Sequence, residues 1–169
     1  LVYRIDQGIE RYMTKTQKKT ADFMEGCMEL GGLLGDWQED EIIELKKYGH
    51  ALGMAFQITD DIMDYRETAE TTGKPVGNDL REGLLTYPLL SIVNDGNKDK
   101  LLEDIKGLNN GGNEQDIIDY VIAQGGIDNT LAVADKYCKD ALAALAAVRD
   151  FPGKEFLVMA VENLADRKV

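Results

Sequence analysis

A chain of 169 residues and 18.8 kDa has the length of about one domain, and a hydrophobic fraction of 44% is enough to bury a core, which excludes a disordered or fibrous protein. Nineteen Lys and Arg against 31 Asp and Glu leave a formal charge of −12, which argues against a phosphate-neutralising nucleic-acid surface and against attraction to an anionic membrane. No apolar run approaches the roughly 20 residues that span a bilayer, so no stable membrane insertion is expected. Cys27 and Cys138 lack metal-ligand spacing and sit in amphipathic stretches, as suits a reducing, cytoplasmic compartment. The chain opens on Leu1 without a Met, and its start reads as a cut.

Apolar residues recur at helical spacing almost throughout, and Pro75, Pro88 and Pro152 are the only prolines, so the predicted fold class is all-α in a single domain over residues 1–169. A first helix is predicted over residues 7–34, ended by Gly31, Gly32 and Gly35. Asp40 is placed as the N-cap of a second, whose stripe of Leu45, Leu52, Ala55 and Ile62 runs to about Arg66. Residues 70–86 are rich in glycine and turn formers and read as a long loop, of the kind that in compact domains is usually functional or disordered. Further helices are expected over 88–93, 98–108, 117–123, 128–148 and 155–165, the Ala-rich one being long and closely packed.

The second helix carries the chemistry. At ~100° per residue, Gln57, Asp60, Asp61 and Asp64 fall within an arc of about 100° facing away from the apolar stripe. Carboxylates this close repel by a few tenths of a kcal/mol per i,i+4 pair, and no Lys or Arg lies three or four residues from Asp60 or Asp61 to offset this. A divalent cation would offset it, and Mg²⁺, which takes hard oxygen ligands and shares its shell with substrate phosphates, suits the pattern. Taken alone, the motif fits a solvated acidic face equally well. Downstream, Thr72-Gly73-Lys74-Pro75-Val76-Gly77 offers a lone cation among glycines, with no strand before it and no Walker spacing. Upstream, Lys18-Lys19-Thr20-Ala21 sets a cation beside a hydroxyl.

Lys19-Thr20-Ala21 in one helix, Phe56-Gln57-x-x-Asp60-Asp61-x-x-Asp64 in the next, and Gly73-Lys74-Pro75-x-Gly77-x-Asp79-Leu80-x-x-Gly83-x-x-Thr86-x-Pro88 in the following loop together resemble the trans-type polyprenyl diphosphate synthases. The ordered combination is far more specific than any part, and it covers about residues 12–90. The resemblance implies an isoprenoid-synthase-type helical bundle around an apolar cavity. It also implies a transferase that ionises an allylic diphosphate with Mg²⁺, adds the cation to isopentenyl diphosphate and loses a proton. By the same resemblance Asp60, Asp61 and Asp64 hold Mg²⁺, Lys19 and Lys74 contact the diphosphate, and Thr20 and Gln57 turn oxygen dipoles to the cation. Phe23, Cys27, Met54 and Phe56 are candidates for the apolar wall.

Two departures from the family pattern matter. Its earlier aspartate-rich motif is absent, so the chain looks like the C-terminal half of a synthase, a partial bundle expected to be inactive by itself and to work as a homo- or hetero-oligomer. Leu84 stands where the family often has Lys, which puts one diphosphate contact in doubt. Competing readings are a non-catalytic subunit of the same fold and an acidic helical interaction module. His50 is read as a helix residue at the cavity edge or a packing residue, and Trp37 as a packing anchor.

Overall fold

In the computed structural model, which describes residues 8–66 and 77–166, all regular structure is helical and no strand occurs among the described residues. Helix α1 (Gly8–Thr16) passes through a π-helical turn (Gln17–Ala21) into α2 (Asp22–Leu34), so the helix expected over 7–34 contains one widened turn. Helix α3 (Glu39–Arg66) begins one residue before the expected cap, with Glu39, Asp40 and Glu41 in its first turn, where the helix dipole favours acids. Of the loop expected over 70–86, residues 70–76 lie outside the described residues, and the rest is corrected in one place: α4 (Asn78–Arg81) is a single helical turn.

Then come α5 (Tyr87–Leu90), α6 (Lys98–Gly107) with a 3-10 turn over Leu108–Asn110, α7 (Glu114–Ala123), α8 (Gly126–Ala146) and α9 (Lys154–Asp166). Helix α7 starts three residues earlier than its apolar pattern, because the Asn113 side chain caps it by accepting the Gln115 N–H. Pro88 lies in the first turn of α5, the position where its missing N–H costs nothing.

The chain forms two compact units, Leu1–Met13 with Asp60–Thr130 and Thr14–Thr59 with Leu131–Val169, and α1, α3 and α8 each run from one into the other. In the first unit the buried residues include Ile62, Leu80, Leu89, Leu101, Ile105 and Ile118, and α6 packs on α7. In the second, Leu45, Tyr48, Ala51 and Ala55 of α3 form one core with Cys138, Ala141 and Leu145 of α8 and Val161 and Leu164 of α9. The small side chains of the Ala-rich helix admit this close packing. Trp37 closes the turn before α3: its ring meets Phe151 edge-to-face at 4.9 Å, and the Arg149 guanidinium lies 4.5 Å from the ring centroid.

Two glycines one turn apart, Gly49 and Gly53, are where α3 meets the π turn and α2. A Cβ on Gly53 would stand 2.6 Å from the Ala21 Cα and 3.2 Å from the Thr20 carbonyl oxygen, and one on Gly49 would stand 2.6 Å from the Met24 carbonyl oxygen. These neighbours are backbone, so they cannot turn aside. Gly→Ala inside a helix ordinarily stabilises by about 1 kcal/mol. Gly53→Ala is expected to reverse that sign and destabilise by about 1–3 kcal/mol through overpacking, as read by denaturant melts; an unchanged or raised midpoint would refute the close contact.

Candidate active site

The acidic motif lies on α3, and the structure gives its three carboxylates three different surroundings. Asp60 is exposed and makes no ion pair among the described residues. Asp61, the next residue, is only 5% exposed and accepts a hydrogen bond from the Tyr12 hydroxyl at its Oδ2, 2.5 Å away. Asp64, a turn further on, accepts the Asn78 N–H at Oδ1 and the Asp79 N–H at Oδ2, each at 3.2 Å. Its own carbonyl takes the Gly77 N–H at 3.1 Å, so three successive amides converge on one residue. Gly77 allows that turn by adopting a φ of 76°, in the left-handed region.

Burial is the main reason the Asp64 carboxyl is pushed up to about 6, with repulsion from Asp79 and Asp60 adding to it and the two amide bonds opposing it. Nearby, the Tyr65 hydroxyl stands 3.4 Å from that of Thr86, and burial raises its pKa.

In the second unit the π turn carries Lys18, Lys19 and Thr20. Such turns insert one residue into a helix and recur at functional sites. Thr20 donates its hydroxyl proton to the Gln57 Oε1 at 3.1 Å, so these two predicted residues are brought together. Lys19 is exposed on the same turn. Lys74 lies outside the described residues. Leu84 is exposed, and its N–H bonds the Asp79 carbonyl at 2.8 Å. Of the wall candidates, Met54 is buried, while Phe23, Cys27 and Phe56 are exposed, Phe23 to 73%. Leu30, Leu33 and Leu34 extend the apolar face of α2 into solvent.

Sequence reasoning missed three partners. Tyr12 belongs to the apolar rhythm of the first helix, and nothing in that rhythm announces a hydrogen bond to Asp61. The amides of Asn78 and Asp79 carry no side-chain signal at all. His50 is not simply a packing residue: its Nδ1 lies 3.4 Å from a Glu25 oxygen, and with Asp22 it forms a group whose possible ligand atoms all lie within 4.8 Å of one another. Lys46 already bridges Glu25 and Glu29, at 3.8 Å and 2.8 Å, so this cluster is partly compensated without an ion.

Residues 3–124 match the family model described as polyprenyl synthetase. Heptaprenyl diphosphate synthase component 2 of Geobacillus stearothermophilus is 32% identical over 140 residues, 83% of this chain and 44% of that protein. Octaprenyl diphosphate synthase of Escherichia coli (strain K12) is 34% identical over 153 residues, 88% of this chain and 47% of that protein. Among solved structures, heptaprenyl diphosphate synthase from Staphylococcus aureus aligns with a TM-score of 0.86 at 28% identity, over 99% of this chain and 53% of that one. The polyprenyl synthase from Caulobacter crescentus CB15, solved with calcium and isoprenyl diphosphate, gives 0.85 at 29% identity, over 99% and 52%. The chain spans about half the length of the curated relatives it matches.

The raised pKa of Asp64 sets a pH dependence in the absence of divalent cations. The folded carboxyl, at about 6, binds its proton more tightly than an unfolded one near 3.8, so this group stabilises the fold below about pH 4 and loses that contribution as pH rises through 6. Melts between pH 4 and 7 should therefore fall more steeply in the native protein than in Asp64→Asn; identical slopes would show that Asp64 titrates normally.

Proposed function

We propose that this chain, which belongs to the polyprenyl synthetase family, is the C-terminal half of a trans-polyprenyl diphosphate synthase domain. Both compact units are assigned to that one domain. The reaction is prenyl transfer: the C–O bond of an allylic diphosphate breaks with its electron pair leaving on diphosphate, the double bond of isopentenyl diphosphate attacks the cation, and proton loss restores a double bond. The observation that carries the reading is the acidic arc of α3, in which Asp60 is presented to solvent while Asp61 and Asp64 are fixed behind it.

An acidic arc of this kind fits a hard divalent cation: three carboxylates lie within five residues on one helix, with no ion pair to Asp60 among the described residues. Asp60 would hold Mg²⁺, with Asp61 and Asp64 fixed behind it, and the ion when bound supplies positive charge against the departing diphosphate. Lys19 and Lys74 are assigned to the departing diphosphate, where positive charge acts most strongly if water is excluded. Thr20 and Gln57, joined by their hydrogen bond, turn oxygen dipoles to the allylic cation. The calcium and isoprenyl diphosphate in the Caulobacter relative support a divalent cation beside a diphosphate here.

A relative named as one component of a synthase supports assembly with a second subunit, homo- or hetero-oligomeric. No helix among the described residues is long and apolar enough to cross a membrane, which is consistent with the cytoplasmic placement proposed here.

In the assembled enzyme, Asp60→Ala is expected to lower kcat by about 10²–10³ with a much smaller change in KM for the allylic substrate, because the charge it answers appears at ionisation. Equal losses in both would make Asp60 a structural residue. A Mg²⁺ titration by calorimetry separates a synthase from an acidic interaction module: a diphosphate analogue should tighten metal binding in the former and leave it unchanged in the latter. The purified 169-residue chain, given an allylic diphosphate, isopentenyl diphosphate and Mg²⁺, should form no elongated product. Product from this chain without a partner would overturn the assignment as a half.

A further inference from the structure

Neighbouring residues on a helix point about 100° apart, so Asp60 and Asp61 occupy opposite edges of the acidic arc. The structure follows that geometry: Asp60 faces solvent and Asp61 is 5% exposed. A buried carboxylate needs donors, and one of them is the Tyr12 hydroxyl, which reaches Asp61 Oδ2 at 2.5 Å across 49 residues of sequence. Tyr12 is itself buried, and its ring meets Tyr87 edge-to-face at 5.7 Å. The ring contact restrains the hydroxyl, and the hydroxyl ties this turn of α3 to α1.

We propose that Tyr12 is a positioning residue for Asp60, acting through Asp61, and that Asp61 serves as the anchor of the motif and not as a ligand of the cation. This deepens the function proposed above and rests on it. Tyr12 touches neither the substrate nor the metal. Its bond to Asp61 holds the rotation of α3 at which Asp60 meets the ion, so loss of the hydroxyl loosens the geometry of a ligand one residue away.

The test is a double-mutant cycle in the assembled enzyme, read as the Mg²⁺ concentration giving half-maximal rate. Tyr12→Phe and Asp61→Ala should each raise it by about tenfold or more, the range found when a residue orienting a metal ligand is lost. Together they should exceed the larger single effect by no more than about twofold, since each alone already removes the Tyr12–Asp61 bond. Asp61→Asn keeps an acceptor for the Tyr12 hydroxyl and should recover most of what Asp61→Ala loses. An Asp61→Asn as damaging as Asp61→Ala, with Tyr12→Phe near the native value, would overturn the proposal and make Asp61 a ligand. If Tyr12→Phe does not fold, the comparison of Asn with Ala at position 61 decides alone. Metal-free thermal melts of the same variants must show the same non-additivity. Melts that couple in an enzyme lacking Mg²⁺-dependent prenyl transfer would refute the proposed function while leaving the pair intact, and additive melts would refute the pair.

Discussion

Repulsion among Asp60, Asp61 and Asp64 is the constraint around which the first unit is arranged. Exposed like charges one turn apart cost a few tenths of a kcal/mol, but the same charges cost far more as water is removed, and Asp61 is almost fully buried. The fold answers with hydrogen bonds. Tyr12 from α1 donates to Asp61, and the turn at residues 77–79 offers three consecutive amides to Asp64. Each bond also ties a distant stretch of chain to α3, so holding the charges and closing the fold are one act.

The second unit meets a different demand, that of bringing backbones together. Glycine at positions 49 and 53 lets α3 lie against the π turn and α2 without side chains between them, and alanine on α8 does the same on the other side of the core. Thr20 lies in the turn that Gly53 touches, and its partner Gln57 follows Gly53 by one helical turn. The apolar face of α2 is left outside this packing, with Phe23, Leu30 and Leu34 in solvent.

Much of this is legible in the sequence. The three-four rhythm of apolar residues located the long helices to within a few residues, because that rhythm records which side must be buried. The acidic motif marks one arc of α3, because Asp-Asp-x-x-Asp on a helix has a fixed angular spread. What escaped depends on contacts between segments distant in sequence. The π turn at residues 17–21 has no compositional mark, since Gln-Lys-Lys-Thr-Ala suits an ordinary helix. The start of α7 was displaced because Asn113 caps a turn whose residues show no apolar stripe. Cys27 and Cys138 read alike in amphipathic patterns, yet only Cys138 is buried, a distinction made by which helices pack against each. The bond from Tyr12 to the buried Asp61 comes from another helix, which an angular projection of α3 cannot contain.

Trp37 is the chain's single tryptophan, and it sits against Phe151 and Arg149 in the second unit. Its emission is therefore an optical reporter of that unit alone, shifting when the contact between the turn before α3 and the segment after α8 opens. Far-ultraviolet circular dichroism records helices in both units. A difference between the two signals during unfolding would measure how independently the units come apart, even though three continuous helices run through both.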